Sequence, residues 1–264
     1  MKSVGKTSLG VWWVVGMLGA VFAVELAGLR SASSADKPAE KKIRVLVTYG
    51  GHGFDEKEFW GMFDAMPDMT WDKAELPQQA DLLKPGLEKH YDVVVMYDMC
   101  QKFTPEQRQA FVNLLKQGIG LVPLHHNLAA HFEWDEFRKI IGGRFILRNC
   151  QIDGKEYKQS PVSHGETIRV LVADKNHPIT QGVQDFDIKD ETYGPFYMAE
   201  GVHVLLRTEH PKNNPVLGWT WRYENSPVFY LMLGHDRFAY ENPAYRKLLA
   251  QGIRWAAAEL RPKK

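Results

Sequence analysis

Short apolar runs recur along the chain, and through its first half each is followed by a stretch with apolar positions at helical spacing. Ile43–Tyr49 is apolar and β-branched and reads as a strand, with the flexible Gly50-Gly51-His52-Gly53 after it. Asp55–Met66 then sets Phe59, Trp60, Phe63 and Met66 on one helical face. Met69–Leu76 reads as a second strand and Val93–Tyr97 as a continuously buried one. Thr104-Pro105-Glu106-Gln107 has the composition of a helix start: Thr as N-cap, Pro in the first turn, Gln three residues after the cap. Phe111, Leu114 and Leu115 give that helix its apolar face, and Gly118 is placed to end it in a left-handed conformation. Ile119–Leu124 is the next strand, and Trp134–Ile141 a short helix stopped by Gly142-Gly143.

The second half differs. Ile168–Ala173, Val202–Arg207, Pro215–Trp219 and Pro227–Leu233 are strand-like with no long helices between them. Asn242-Pro243 caps a closing helix, Ala244–Leu260. Arg144–Gly165 has little periodicity and predicts a long surface loop, a feature more often functional than idle at that length. The pattern predicts an α/β protein: a three-layer α/β/α sandwich with a mostly parallel, doubly wound sheet, extended by antiparallel strands.

The N-terminus has a separate character. Lys2 and Lys6 precede the apolar stretch Leu9–Leu29, and Ser31-Ala32-Ser33-Ser34-Ala35 supplies a small-residue exit. This predicts a signal peptide over residues 1–35, cleaved after Ala35 and exporting the protein to the periplasm or beyond. The alternative is an uncleaved membrane anchor, since the stretch is nearly long enough to span; Glu25 interrupts it. After processing, no stable membrane span is expected. Residues 36–42 read as a polar tether and 43–260 as one domain, of a size that a single core can support.

Composition narrows the partners. The chain is 44% hydrophobic and 25% charged with a net charge of +1, which gives no electrostatic case for nucleic acid. Its two cysteines, Cys100 and Cys150, are too few for a disulfide framework, although export would permit them to pair.

The chemistry collects at strand ends. His125 and His126 follow Ile119–Leu124, His52 follows Ile43–Tyr49, Asp98 follows Val93–Tyr97, and His235 follows Pro227–Leu233. In an open α/β sheet, ligands bind in the crevice at the carboxyl ends of the strands. A single histidine is usually a hydrogen-bonded structural residue; separate strands ending this way predict a shared site.

Several motifs together resemble the trehalose-utilisation (ThuA-like) family. They are Tyr49-Gly50-Gly51-His52, Leu121–Asn127 with its double His, Gly142-Gly143-Arg144-Phe145, Asn176-His177-Pro178-Ile179, Asp190-Glu191-Thr192-Tyr193 and Leu233-Gly234-His235. The closing Gly252-Ile253-Arg254-Trp255-Ala256 resembles the family's last helix, so the match runs over roughly residues 43–258. The resemblance implies a fold like that of class I glutamine amidotransferases and a role in sugar utilisation, with disaccharides or their 3-keto derivatives as substrates. Relatives often carry a His after Gly-Gly-x-Phe; here Arg148 or Asn149 stands in that place, and His164 is positioned to move in from the expected loop.

The amidotransferase reaction itself is not expected. The turn after Leu121–Leu124 carries His125-His126 where those enzymes place a nucleophilic Cys, and no residue pattern pairs Cys100 with a base. The expected catalytic residues are His52, His126, Glu191 and His235, moving a proton beside a sugar carbonyl. His52, His126 and His235 are the expected ligands of a divalent metal such as zinc, with Glu191 or Asp98 as the nearby carboxylate; proton transfer without metal is the alternative. His125 is the weaker ligand choice, because adjacent residues leaving a strand point to opposite sides. It is grouped with Asp98, Tyr193, Trp219, Trp221 and Tyr240 as substrate-binding. No nucleotide cofactor is expected. The competing class is a non-catalytic carbohydrate-binding or scaffold protein built on Trp219, Trp221 and Tyr240.

Overall fold

The computed structural model describes residues 41–260. The signal-peptide reading and most of the tether lie outside the described residues; Lys41 and Lys42, its last two, are exposed. Among the described residues no helix is long and apolar enough to cross a membrane.

The first half alternates as expected: β1 (Ile43–Gly50), α1 (Glu56–Asp64), β2 (Met69–Glu75), β3 (Val93–Asp98), α2 (Pro105–Gln117), β4 (Gly120–Pro123) and α3 (Asp135–Ile141). Then come β5 (Gly143–Arg144), the small hairpin β6 (Cys150–Ile152) and β7 (Lys155–Tyr157), β8 (Val162–Val172), β9 (Phe186–Tyr193) and β10 (Tyr197–Met198). The chain closes with β11 (His203–Arg207), β12 (Val216–Tyr223), β13 (Ser226–Leu231), α4 (Arg237–Tyr240) and α5 (Pro243–Ala258). The segment predicted as one long loop, 144–165, is therefore partly structured. It holds the hairpin and the start of β8, whose side chains alternate too weakly between buried and exposed to give a strand signal.

One nine-stranded sheet runs β2-β1-β3-β4-β13-β12-β11-β8-β9. Pairing is parallel from β2 to β13 and antiparallel beyond it. The carboxyl ends of β1, β3, β4, β13 and β9 consequently share one edge, joined there by the amino end of β8. Strand alternation shows the layering. Phe229 of β13 faces α5 at Gly252, whereas its neighbour Tyr230 stacks on Trp219, whose indole donates to the Ile141 carbonyl at the end of α3. Helices therefore cover both faces, as predicted.

The caps read from sequence are present. Thr104 and Gln107 exchange side-chain and backbone hydrogen bonds at the start of α2, and the Asn242 side chain accepts from the amides of Ala244 and Tyr245 to start α5. Gly118 does end α2 at positive φ (93°), but its ψ of 106° is extended, not left-handed helical.

The α5–β13 contact is tight enough to test. A Cβ on Gly252 would lie 2.2 Å from the Phe229 ring, which is fully buried. Alanine gains about 1 kcal/mol of helix propensity over glycine, but overpacking a filled core costs about 1–3 kcal/mol. Gly252→Ala should therefore lose stability by up to about 2 kcal/mol in urea unfolding; a gain would show that this interface yields.

Candidate functional site

The edge where the strands end collects His52, His125, His126, His164, Glu191 and His235. His125 is fully buried and does not continue β4: the chain turns into a short 3-10 helix, His125–Ala129, and His125 itself adopts φ +44°. The Tyr230 hydroxyl donates to its carbonyl at 2.7 Å, fixing the turn. Its Nδ1 lies 2.6 Å from the Met232 carbonyl, which can only accept, so Nδ1 is the donor. Nε2 is left pointing at Glu191 Oε2 (3.0 Å), His235 Nδ1 (3.2 Å) and the Tyr193 hydroxyl (3.0 Å).

Glu191 is the centre of the group. Its Oε2 also faces His235 Nδ1 at 3.3 Å, and its Oε1 meets His164 Nδ1 at 2.8 Å. Burial alone would raise this carboxyl, but hydrogen bonds with His125 and His235 outweigh it and hold the group far below the usual carboxylate range. The same contact, opposed by burial, raises the pKa of His235. Glu191 is thus held as an anion, and it favours the protonated form of His235.

His235 is held from behind. Asp190, fully buried, accepts from the amides of Gly234 (2.7 Å), His235 (3.0 Å) and Glu191 (2.8 Å). Gly234 sits at φ +118°, and a Cβ there would lie 2.4 Å from the Tyr245 hydroxyl, so the turn that presents His235 needs glycine.

His52 and His126 form a second pair. Their rings stack at 4.4 Å between centroids, and His52 also meets His235 edge-on at 5.7 Å. His126 Nε2 donates to the Tyr97 carbonyl at 3.2 Å, and burial holds the ring well below the usual histidine pKa. Burial, with the neighbouring His125 and His235, also lowers His52. Both are free bases at neutral pH, and Nδ1 of each has no partner among the described residues.

The site residues expected from sequence divide. His52, His125, His126, Tyr193, Glu191 and His235 come together. The set spaced as metal ligands is His125, Glu191 and His235, with His52 and His126 stacked beside it. His164 does enter the site, from β8 and not from a loop, while Arg148 pairs with Glu133 on the surface and Asn149 accepts the Gln159 amide. Asp98 is not a ligand-facing residue: it is fully buried and accepts from Thr48 Oγ1 at 2.6 Å, tying β1 to β3 beneath the loops. Trp219 is a core residue, fully buried against Tyr230. Tyr240 is buried too, its hydroxyl 2.5 Å from that of Tyr97 and donating to the His235 carbonyl at 2.9 Å, so it supports the site from below. Trp221 pairs with Val228 near the opposite ends of these strands, its indole donating to the Lys139 carbonyl. Cys100 and Cys150 are both free, and burial pushes the Cys100 thiol up to about 11, so it is not a poised nucleophile.

Asp190 and its strand were the main omission. Phe186–Tyr193 carries Asp187, Lys189, Asp190 and Glu191, so its apolar alternation is faint, and only the motif Asp190-Glu191-Thr192-Tyr193 marked it.

The family model for trehalose utilisation matches residues 44–256, and the chain belongs to that family. A putative ThuA-like protein from Parabacteroides merdae ATCC 43184 has a similar structure (TM-score 0.68, 20% identity), covering 85% of this chain and 93% of its own. A second from Bacteroides uniformis ATCC 8492 gives 0.62 at 19% identity, covering 84% and 94%. A β-galactosidase from Bacillus circulans sp. alkalophilus shares the fold at 0.53 and 12% identity over 82% of this chain, but only 31% of its own. No curated protein matches the sequence.

Proposed function

We propose that this is an exported sugar-utilisation enzyme that moves a proton beside a carbonyl of a disaccharide or its 3-keto derivative. One observation carries the reading: an anionic carboxylate, Glu191, is surrounded by three imidazoles beside two further imidazoles that are free bases. Abstraction of a proton next to a carbonyl needs a base within reach and a positive group for the developing enolate charge. His52, half-buried and with its pKa lowered by burial, supplies the base. His235, raised by Glu191 and still partly exposed, supplies the positive group. His126 backs His52 in a fixed orientation set by the Tyr97 carbonyl. The name of the family supports sugars as the substrate class. A purely binding role is less well supported, because Trp219 and Tyr240, two of its three expected aromatic contacts, are buried.

The test is exchange and turnover. The purified protein in D2O, offered disaccharides and their 3-keto forms, should exchange the hydrogen next to the carbonyl, followed by NMR. His52→Ala should lower the rate by about 10²–10⁴-fold, the usual worth of a positioned base, with its circular dichroism unchanged. Absence of exchange with every sugar in the panel, or a His52→Ala rate equal to that of the native protein, overturns the reading.

A further inference from the structure

The space between His125, Glu191 and His235 must hold positive charge. His125 Nδ1 is committed as donor to the Met232 carbonyl, so in a neutral ring Nε2 carries a lone pair. That lone pair would point at an anionic carboxylate oxygen 3.0 Å away, with His235 Nδ1 at 3.2 Å. Two acceptors at this distance repel unless a cation lies between them. The three atoms form a nearly equilateral triangle, with edges of 3.0, 3.2 and 3.3 Å. Ligands bonded to tetrahedral zinc at about 2.0–2.1 Å lie about 3.3 Å apart, so this triangle has the dimensions of one tetrahedral face.

We propose that His125 Nε2, Glu191 Oε2 and His235 Nδ1 bind a divalent cation of zinc-like preference, leaving a fourth position open to solvent. Two imidazoles and a carboxylate are a ligand set that zinc uses in catalytic sites with an open position. The surroundings are those of a ligand shell. The Met232 carbonyl orients His125, His164 Nδ1 engages the second oxygen of Glu191 at 2.8 Å, and Asp190 fixes the backbone of His235. The Tyr193 hydroxyl, 3.0 Å from His125 Nε2, flanks the same point. The side chains of His164 and His235 are 69% and 20% exposed, so the unfilled face looks outward, and His52 stands beside it. A cation there would take over the charge-holding role given above to His235, and the inference deepens that reading by using the same cluster.

The experiment is a titration of the chelator-stripped full-length protein with Zn²⁺ alone and with Co²⁺ alone, by calorimetry and by visible absorption. The expected result is one equivalent of Zn²⁺ bound and a Co²⁺ spectrum of four-coordinate intensity. Glu191→Gln, which keeps the shape, and His235→Ala, at the surface, should each weaken Zn²⁺ binding by at least about 100-fold, beyond the 10–100-fold typical of outer-shell changes. His52→Ala should stay within a few-fold of the native affinity. Native protein that binds Zn²⁺ no more tightly than these two variants overturns the site and leaves a proton in the triangle. Stripped protein that takes up no Zn²⁺ yet still turns a sugar over sinks this inference alone; tight stoichiometric binding with no sugar turned over sinks the proposed function alone.

Discussion

Asp190→Ala should destabilise the protein by roughly 3–5 kcal/mol, because it strips one buried acceptor from three backbone donors. The amides of Gly234, His235 and Glu191 all end on this carboxyl. An unsatisfied buried N–H costs about 1–3 kcal/mol, so even partial relaxation leaves a large loss. Asp190→Asn is the finer probe. One amide oxygen can keep the His235 and Glu191 contacts, but its NH2 then faces the Gly234 N–H, donor against donor. Urea unfolding should place Asn between the native protein and Ala. The site should loosen with it: His235 owes its raised pKa first to Glu191, so NMR titration of its ring should move toward ordinary histidine values in both variants. A loss under 1 kcal/mol for Ala, with the His235 titration unchanged, would show that water or the neighbouring backbone replaces the carboxylate.

How far the sequence reveals this site depends on which physical signal each part leaves. Continuous apolar runs marked β1, β3, β4 and β13, and the position of polar residues after them marked the functional edge, since parallel strands deliver their carboxyl ends to one side. The roles within the edge were less legible. His126 was favoured over His125 by strand alternation, but alternation ends where the chain turns, and His125 at φ +44° is in the turn. Which ring nitrogen is free depends on the Met232 carbonyl, a residue far along the chain that no local pattern connects to His125. Aromatics misled for a related reason. Trp219 and Tyr240 flank the functional edge in sequence, yet Trp219 is buried under Tyr230 in the antiparallel half of the sheet and Tyr240 against Phe59 and Tyr97, and aromatic periodicity looks the same for a core wall and a ligand wall. His164 lies outside any periodic segment, and it reaches Glu191 through the antiparallel β8–β9 pairing, in which Ser163 just before it stands opposite Thr192.

Asp98→Asn should change the pH dependence of stability. Asp98 ends β3 with its side chain fully buried, and that burial raises its carboxyl from 3.8 to about 6 despite the hydrogen bond from Thr48 and a long one, 3.3 Å, from the Cys100 amide. A folded-state pKa above the unfolded value means that the folded protein holds this proton more tightly. The associated stability is fully present below about pH 4, is lost as pH rises through about 6, and stays lost above. The upward shift corresponds to roughly 3 kcal/mol between those limits. Asparagine is neutral throughout and keeps an oxygen for Thr48, so it removes this slope. At pH 4 the variant should be equal to the native protein or slightly weaker, since the amide nitrogen cannot accept from Cys100. At pH 7.5 it should be the more stable of the two by up to about 3 kcal/mol. The difference between paired urea curves is the quantity to follow, because the opposing contributions of Glu191 and His235 cancel in it. A difference that stays flat from pH 4 to 7.5 would mean that Asp98 is ionised throughout, with the Thr48 and Cys100 contacts strong enough to hold a buried charge at the floor of the site.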